Sequence, residues 1–294
     1  PCQGFSMAGA RIRKNNFIDD PRNYLFKYYF KIVQQVRPKL FILENVKGIL
    51  TMEKGEIFNQ IIELFSDENN FDGDRYYIHH MVVKAKEYGI PQQRERVFII
   101  GSLNKEIDID EYIEKTKSKV LRKYPYFFNS TSVWDAISNL QNEDKEGNII
   151  NLVPTNQYQK FLSNEDNITY NHIKPHHNSI ATKRIKQINA GENWTKLKDN
   201  IKSVHSGAYG RLDKNGCAPT ITTRFDTPSG GRFIHPVEDR TLSPREGARI
   251  QSFPDSFKFL GNKTSVYKQI GNAVPPKLAY FYANVLQEIL NNEY

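Results

Sequence analysis

The sequence predicts an α/β protein, a doubly wound mixed or parallel sheet joined to a second, smaller and irregular domain. Three observations carry that prediction. Helical and extended apolar periodicities alternate over the first third of the chain. The uninterrupted apolar run Leu40-Phe41-Ile42-Leu43 has the character of a parallel strand covered on both faces. After Ser102 the alternation gives way to a polar stretch rich in Asn and Lys, with little periodicity of either kind.

Each element follows in order. Leu25, Tyr28, Tyr29, Ile32, Val33 and Val36 recur at helical spacing within residues 24–36, with Pro21 near a first turn. The strand over 40–43 comes next, then an amphipathic helix over 55–65 and strands over 76–83 and 97–100. Residues 104–203 read as loops carrying short helices over 133–140 and 181–188. Ser243, Pro244 and Glu246 form a capping box with proline at the first helical position, so a helix starts there. The last helix begins near Pro275-Pro276, and its stripe of Leu278, Phe281, Tyr282, Val285, Leu286, Ile289 and Leu290 is expected to pack onto the first domain. The expected division is 1–103 with 264–294 as one domain and 104–263 as the other.

Composition narrows the class. A chain of 294 residues with 38% apolar and 25% charged residues can bury a substantial core and is not a disordered polymer. The longest apolar runs are strand-sized, so no membrane span is expected, and with no secretory leader read at Pro1 the expectation is a soluble cytoplasmic protein. Cys2 and Cys217 are the two cysteines, without the spacing of a zinc site or a disulfide framework, so no metal is expected. The net charge of +8 suits a polyanionic partner, although a solvated basic surface produces the same excess.

The chemistry-bearing residues stand in a fixed order. Pro1-Cys2-Gln3-Gly4-Phe5-Ser6 is followed by Glu44-Asn45-Val46 behind its apolar run, then by Tyr88-Gly89-Ile90-Pro91-Gln92-Gln93-Arg94-Glu95-Arg96, the segment 240–257, and Gln269-Ile270-Gly271-Asn272-Ala273-Val274. Each is weak alone. Together, over nearly the whole length, they make the chain resemble the DNA cytosine carbon-5 methyltransferases of bacterial restriction-modification systems.

That resemblance implies a fold of the S-adenosylmethionine-dependent methyltransferase type, with 104–263 as a target-recognition domain. It also implies a mechanism. Carbon 5 of cytosine is a poor nucleophile, so a thiolate first adds at carbon 6; Cys2 takes that role. Glu44 would donate a proton or hydrogen bond to ring nitrogen 3, which requires a raised pKa. Arg96 would face the ring carbonyl, and Arg94, two residues earlier and on the same side of an extended segment, would support Glu44 or a phosphate. The bland alternative is a surface ion-pair network of both arginines with Glu95 or other acids. Carbon 5 then takes the methyl group of S-adenosylmethionine. The base is flipped out of the duplex, and residues 4–19 resemble the loop that closes over it.

Double-stranded DNA is the implied partner, with a cognate restriction endonuclease encoded nearby. Gln3, and Ser6 and Arg13 in the loop 4–19, are implied DNA contacts. Residues 206–211 and 222–231 resemble the loops that read the major groove, with Tyr209 filling the space left by the flipped base and Arg211 or Arg224 bonding a guanine edge. Leu25, Asn272 and Ala273 are the implied cofactor contacts. The family's first strands, with the glycine-rich cofactor turn and ribose-binding acid, precede Pro-Cys-Gln and are absent from these residues. A segment before Pro1 or a separate subunit is expected to supply them, and residues 1–294 alone to bind S-adenosylmethionine weakly. Asn23 stands where the family often has glycine. Two other functions compete: a catalytically incomplete DNA-binding subunit of a split methyltransferase, and an RNA methylase sharing the same motifs.

Overall fold

The structure is a computed structural model that describes residues 25–141, 143–197, 199 and 206–294. In chain order its principal elements are α1 Phe26–Val36, β1 Leu40–Val46, α2 Glu56–Ser66, β2 Tyr76–Lys84, β3 Gln92–Gln93, β4 Glu95–Leu103 and α3 Ile109–Lys123. These are followed by α4 Val133–Ile137, α5 Gln157–Leu162, α6 Ser179–Ile185, β5 Ala218–Pro219, α7 Pro244–Ile250, α8 Lys263–Asn272 and α9 Pro276–Glu293. Among the described residues, 25–84, 95–120 and 281–294 form one compact unit, and 85–94 with 121–280 form a second.

The first unit is built on a sheet of order β1-β4-β2. β2 and β4 are the arms of a long hairpin, with Lys84 opposite Glu95, so β4 returns antiparallel to β2. It then lies antiparallel to β1 as well, with Leu40 opposite Ser102 and Val46 opposite Arg96. The parallel character expected of 40–43 does not describe its pairing with β4, and among the described residues β1 and β2 run parallel to each other on either side of the antiparallel β4. An apolar run reports burial, and burial does not encode the direction of the neighbouring strand. Phe41 stands opposite Gly101, where any Cβ would collide with its ring, so the glycine lets the ring lie on the sheet. Phe41 meets Phe65 of α2 at 4.6 Å and Tyr76 of β2 at 5.0 Å between ring centres, and Phe30 of α1 meets Phe65 at 5.4 Å.

Two further helices complete this unit. α3 falls where loops were expected: Ile109, Tyr112, Ile113, Thr116 and Val120 are its buried face at helical spacing, and its remaining positions are mainly charged. The expected packing of the last helix holds for its C-terminal part. The Tyr282 ring lies 4.8 Å from that of Phe98 in β4, and the Tyr112 hydroxyl donates to Glu293 at 2.6 Å. Residues 104–120 thus belong with the sheet rather than with the second domain assigned to them.

The second unit has little sheet: β3 and β5 pair in parallel over two residues. Its core gathers Val133, Ile137, Tyr158, Leu162, Ile221, Phe225, Leu242, Ile250, Tyr267 and Ile270 around α7. Every residue of α7 is buried, including Arg245, Glu246 and Arg249. The expected capping box is formed, Ser243 Oγ accepting from the Glu246 amide at 3.1 Å and the Glu246 carboxylate accepting from the Ser243 amide at 2.7 Å. Residues 264–280, expected in the first domain, are in this unit.

Candidate active site

Strand register places the first acid and base. Val46 stands opposite Arg96, and Glu44 is two residues from Val46 on the same face, so the side chains of Glu44 and Arg96 are diagonal neighbours. Arg96 Nε lies 2.9 Å from Glu44 Oε1, with both side chains mostly buried. The pair is an ion pair out of hydrogen-bond alignment, since neither atom has a hydrogen-bond partner among the described residues. Among the described residues, Glu44 Oε1 is therefore open to another donor or a bound ring. Arg96 is held in place by an Nη1 donation to the carbonyl of Glu95 at 2.7 Å. Within the end of β1, Asn45 is buried and its Oδ1 accepts from the Val46 amide at 2.8 Å, which fixes the backbone just beyond Glu44.

Of the alternative network of both arginines with Glu95 or other acids, Arg96 has an acid partner in Glu44, but Glu95 is not that partner. Glu95 pairs with Lys47 at 3.0 Å. Arg94 stands outside both β3 and β4, which breaks the alternation that would have put it beside Arg96. It is 3% exposed and belongs to the second unit, where its Nη1 donates to the carbonyls of Ile221 and Gly271 at 3.4 and 3.3 Å.

The second unit also revises the DNA-reading assignments. Arg211 is buried, and its N–H groups donate to the carbonyls of Ile185, Ile188, His235 and Glu238 and to Asp239. All five donors are spent, so none remains for a guanine edge. Tyr209 is buried with Ile185, Ala208 and Ile234, at a φ of 49°, which does not fit a side chain free to fill a gap in duplex DNA. The two expected loops do meet, the Tyr209 amide donating to the Pro228 carbonyl at 2.6 Å. Arg224, on the second loop, has an exposed guanidinium whose Nη2 donates to Thr227 Oγ1 at 3.1 Å.

Leu25 caps α1 in the first unit; Asn272, exposed, and Ala273 end α8 in the second. Cys2, Gln3, Ser6 and Arg13, with the loop 4–19, lie outside the described residues. Cys217 is half-buried with its thiol pushed up by burial. Among the described residues no helix is long and apolar enough to cross a membrane.

Sequence reasoning missed two groups. Around α7, Glu246 takes Arg240 in a fork at 2.8 and 2.7 Å, with His235 Nε2 at 3.6 Å. Burial alone would raise the Glu246 carboxyl, but Arg240 and then His235 and His172 hold it at about 2. The capping box was the visible signal for Glu246; its ionic partner was not. Lys277 is the other, a cation four residues before Phe281 on the apolar stripe of α9, and 3% exposed.

A C-5 cytosine-specific DNA methylase family model matches residues 1–288. The chain belongs to that family. Its class of enzyme is DNA (cytosine-5)-methyltransferase. The methylase is 33% identical, over 99% of its own length and 72% of the relative's, to the type II methyltransferase M.DdeI of Desulfomicrobium norvegicum. It is 30% identical, over 100% and 70%, to M.Bpa9945I of Bacillus paralicheniformis. An E. coli prophage protein described as a DNA modification methyltransferase superposes with a TM-score of 0.68 at 27% identity, covering 99% of this chain and 78% of that one. The Dnmt2 methyltransferase of S. pombe, at 16% identity, 92% and 74% coverage and a TM-score of 0.54, shares the fold.

Proposed function

We propose that this methylase transfers the methyl group of S-adenosylmethionine to carbon 5 of a cytosine flipped out of a specific duplex sequence. The Cys2 thiolate adds to carbon 6, and electron density moves to carbon 5 as Glu44 donates to ring nitrogen 3. Carbon 5 takes the methyl group from the sulfonium substrate. Loss of the carbon-5 proton and expulsion of the thiolate restore the ring. Arg96 sits beside Glu44 to hold the ring carbonyl, while Arg94 acts at a distance by fixing the backbone near Ile221 and Gly271. Leu25, Asn272 and Ala273 are the contacts for S-adenosylmethionine. Arg224 with Gln3, Ser6 and Arg13 contact DNA.

The observation that carries this reading is the shared face of Glu44 and Arg96, an acid whose Oε1 has no hydrogen-bond partner among the described residues, 2.9 Å from a guanidinium near the end of a strand. The test is covalent trapping. Duplex DNA with 5-fluorocytosine at the target, which blocks the final proton loss, should remain bonded to the protein in the presence of S-adenosylmethionine. Cys2→Ser should abolish the adduct. An adduct that forms equally well in Cys2→Ser would refute the assignment.

A further inference from the structure

A cavity of about 490 Å3 lies within the second unit, and Glu44, Arg94 and Arg96 are not among the residues that line it. Tyr124, Tyr126, Phe127, Tyr158 and Phe161 wall it, and Lys277 forms its floor. Lys277 Nζ lies 4.7, 5.3 and 5.4 Å from the ring centres of Phe127, Tyr158 and Phe161. It donates to the carbonyl of Gly89 at 3.2 Å, one acceptor for three N–H donors. The one acid in the lining, Asp135, is committed elsewhere: its Oδ2 accepts from the amide and hydroxyl of Ser132 at 2.8 and 2.7 Å. Lys123 and Lys160 add two more cations at the exposed rim.

A buried ammonium with no carboxylate partner is costly, because rings offset only part of the lost hydration. Burial accordingly pushes Lys277 down to about 7, with no charged neighbour opposing it. The missing complement is a single anionic head attached to a body that suits aromatic walls. We infer that this cavity binds a flat aromatic carboxylate, its ring among the Tyr and Phe rings and its carboxylate on Lys277 Nζ. The volume falls within the range of about 300–1,000 Å3 usual for small-molecule sites. One point charge matches one carboxylate, and aromatic walls favour offset or edge-on contact with a flat ring over an alkyl chain.

The probe is 1-naphthoate, titrated into the full chain by calorimetry at about pH 6, where an amine of pKa about 7 is protonated. Saturable binding is expected, unchanged by excess S-adenosylhomocysteine. Neutral 1-naphthalenemethanol and the alkyl anion octanoate should each bind at least about tenfold more weakly, as should Lys277→Met with naphthoate. Tyr126, half-exposed on the wall, provides a variant that should fold normally, and Tyr126→Ala should weaken naphthoate several-fold. No binding by the wild type, competition by S-adenosylhomocysteine, or equal binding of the neutral alcohol would each overturn the assignment. Octanoate binding as tightly as naphthoate would overturn its aromatic part.

Discussion

Glu246→Gln isolates the charge at the centre of the second unit, because the amide keeps the volume and the shape of the carboxylate. The wild-type carboxyl is held at about 2 against an ordinary 4.5. That gap is about 2.5 units, or about 3 kcal/mol favouring the ionised form. Removing one partner of a buried ion pair costs about 3–5 kcal/mol in general, because the other charge is left behind. Arg240 would retain Glu238 at 2.9 and 3.1 Å, but that carboxylate is 40% exposed and cannot replace a fully buried one. The two routes converge on an expected loss of about 3–4 kcal/mol. Urea unfolding followed by tryptophan emission reads it directly, since the Trp134 ring lies 6.3 Å from that of His235 in the same network. A loss below about 1 kcal/mol would show that Arg240 and Glu246 gain no more than an exposed pair, and the reasoning from burial would fail.

Glu44→Gln should lower methyl transfer by about 10²–10⁴-fold, measured by methyl incorporation on protein shown by thermal melting to be folded. A fully active variant would remove Glu44 from the chemistry. Arg211→Met should destabilise by about 3 kcal/mol or more without altering the preferred DNA sequence, whereas Arg224→Ala should leave the melting temperature in place and cost about 1–3 kcal/mol of discrimination in DNA binding. The reverse pattern would return the reading role to Arg211. Stability should fall as the pH drops below 6.5 toward the folded values of three histidines. His172, His177 and His235 are each held below 6.5, first of all by burial, so between their folded values and 6.5 the unfolded chain binds more protons. Their contribution is complete above 6.5 and is lost as pH falls; Glu246 adds a second loss below 4.5. A urea midpoint that holds steady over that interval would contradict the histidine assignment.

Sequence periodicity gave α1, α2, β2, β4 and α9 to within a few residues because each carries an apolar face that must be buried. It did not give strand direction, which depends on how the hairpin of β2 and β4 inserts beside β1. It passed over α3, whose apolar positions are regularly spaced but outnumbered by charges, so average polarity hid the period. In the second unit, composition suggested loops, and many of its contacts are indeed made by polar side chains meeting backbone carbonyls. Arg211 and Arg245 illustrate why such residues mislead. Arg245 donates to the carbonyls of Tyr170, Pro254 and Phe257, a purely structural use that no spacing announces. An arginine in a loop sequence has the same appearance whether its donors face a base or the protein's own backbone.

The segment from Tyr88 to Arg96 divides along the same line, and the division explains why so many of its residues are polar. Gln92 is fully buried; its Oε1 accepts from the Ile221 amide at 2.9 Å and its Nε2 donates to Gln251 at 2.8 Å. Gln251 in turn donates to the Ile270 carbonyl at 2.7 Å, and Arg94 joins the carbonyls of Ile221 and Gly271. At Gly271 a Cβ would stand 2.4–2.6 Å from backbone atoms of Thr222 and Thr223, so the end of α8 lies directly on the strand of chain that leads to Arg224. A glutamine and an arginine are suited to this work because each carries several hydrogen-bonding atoms on a rigid planar group, and each can join two backbones that have no common ladder. The first part of the segment therefore sets the backbone from which Asn272, Ala273 and the Arg224 loop are presented. Only its last arginine, returned to regular alternation in β4, reaches the face that carries Glu44.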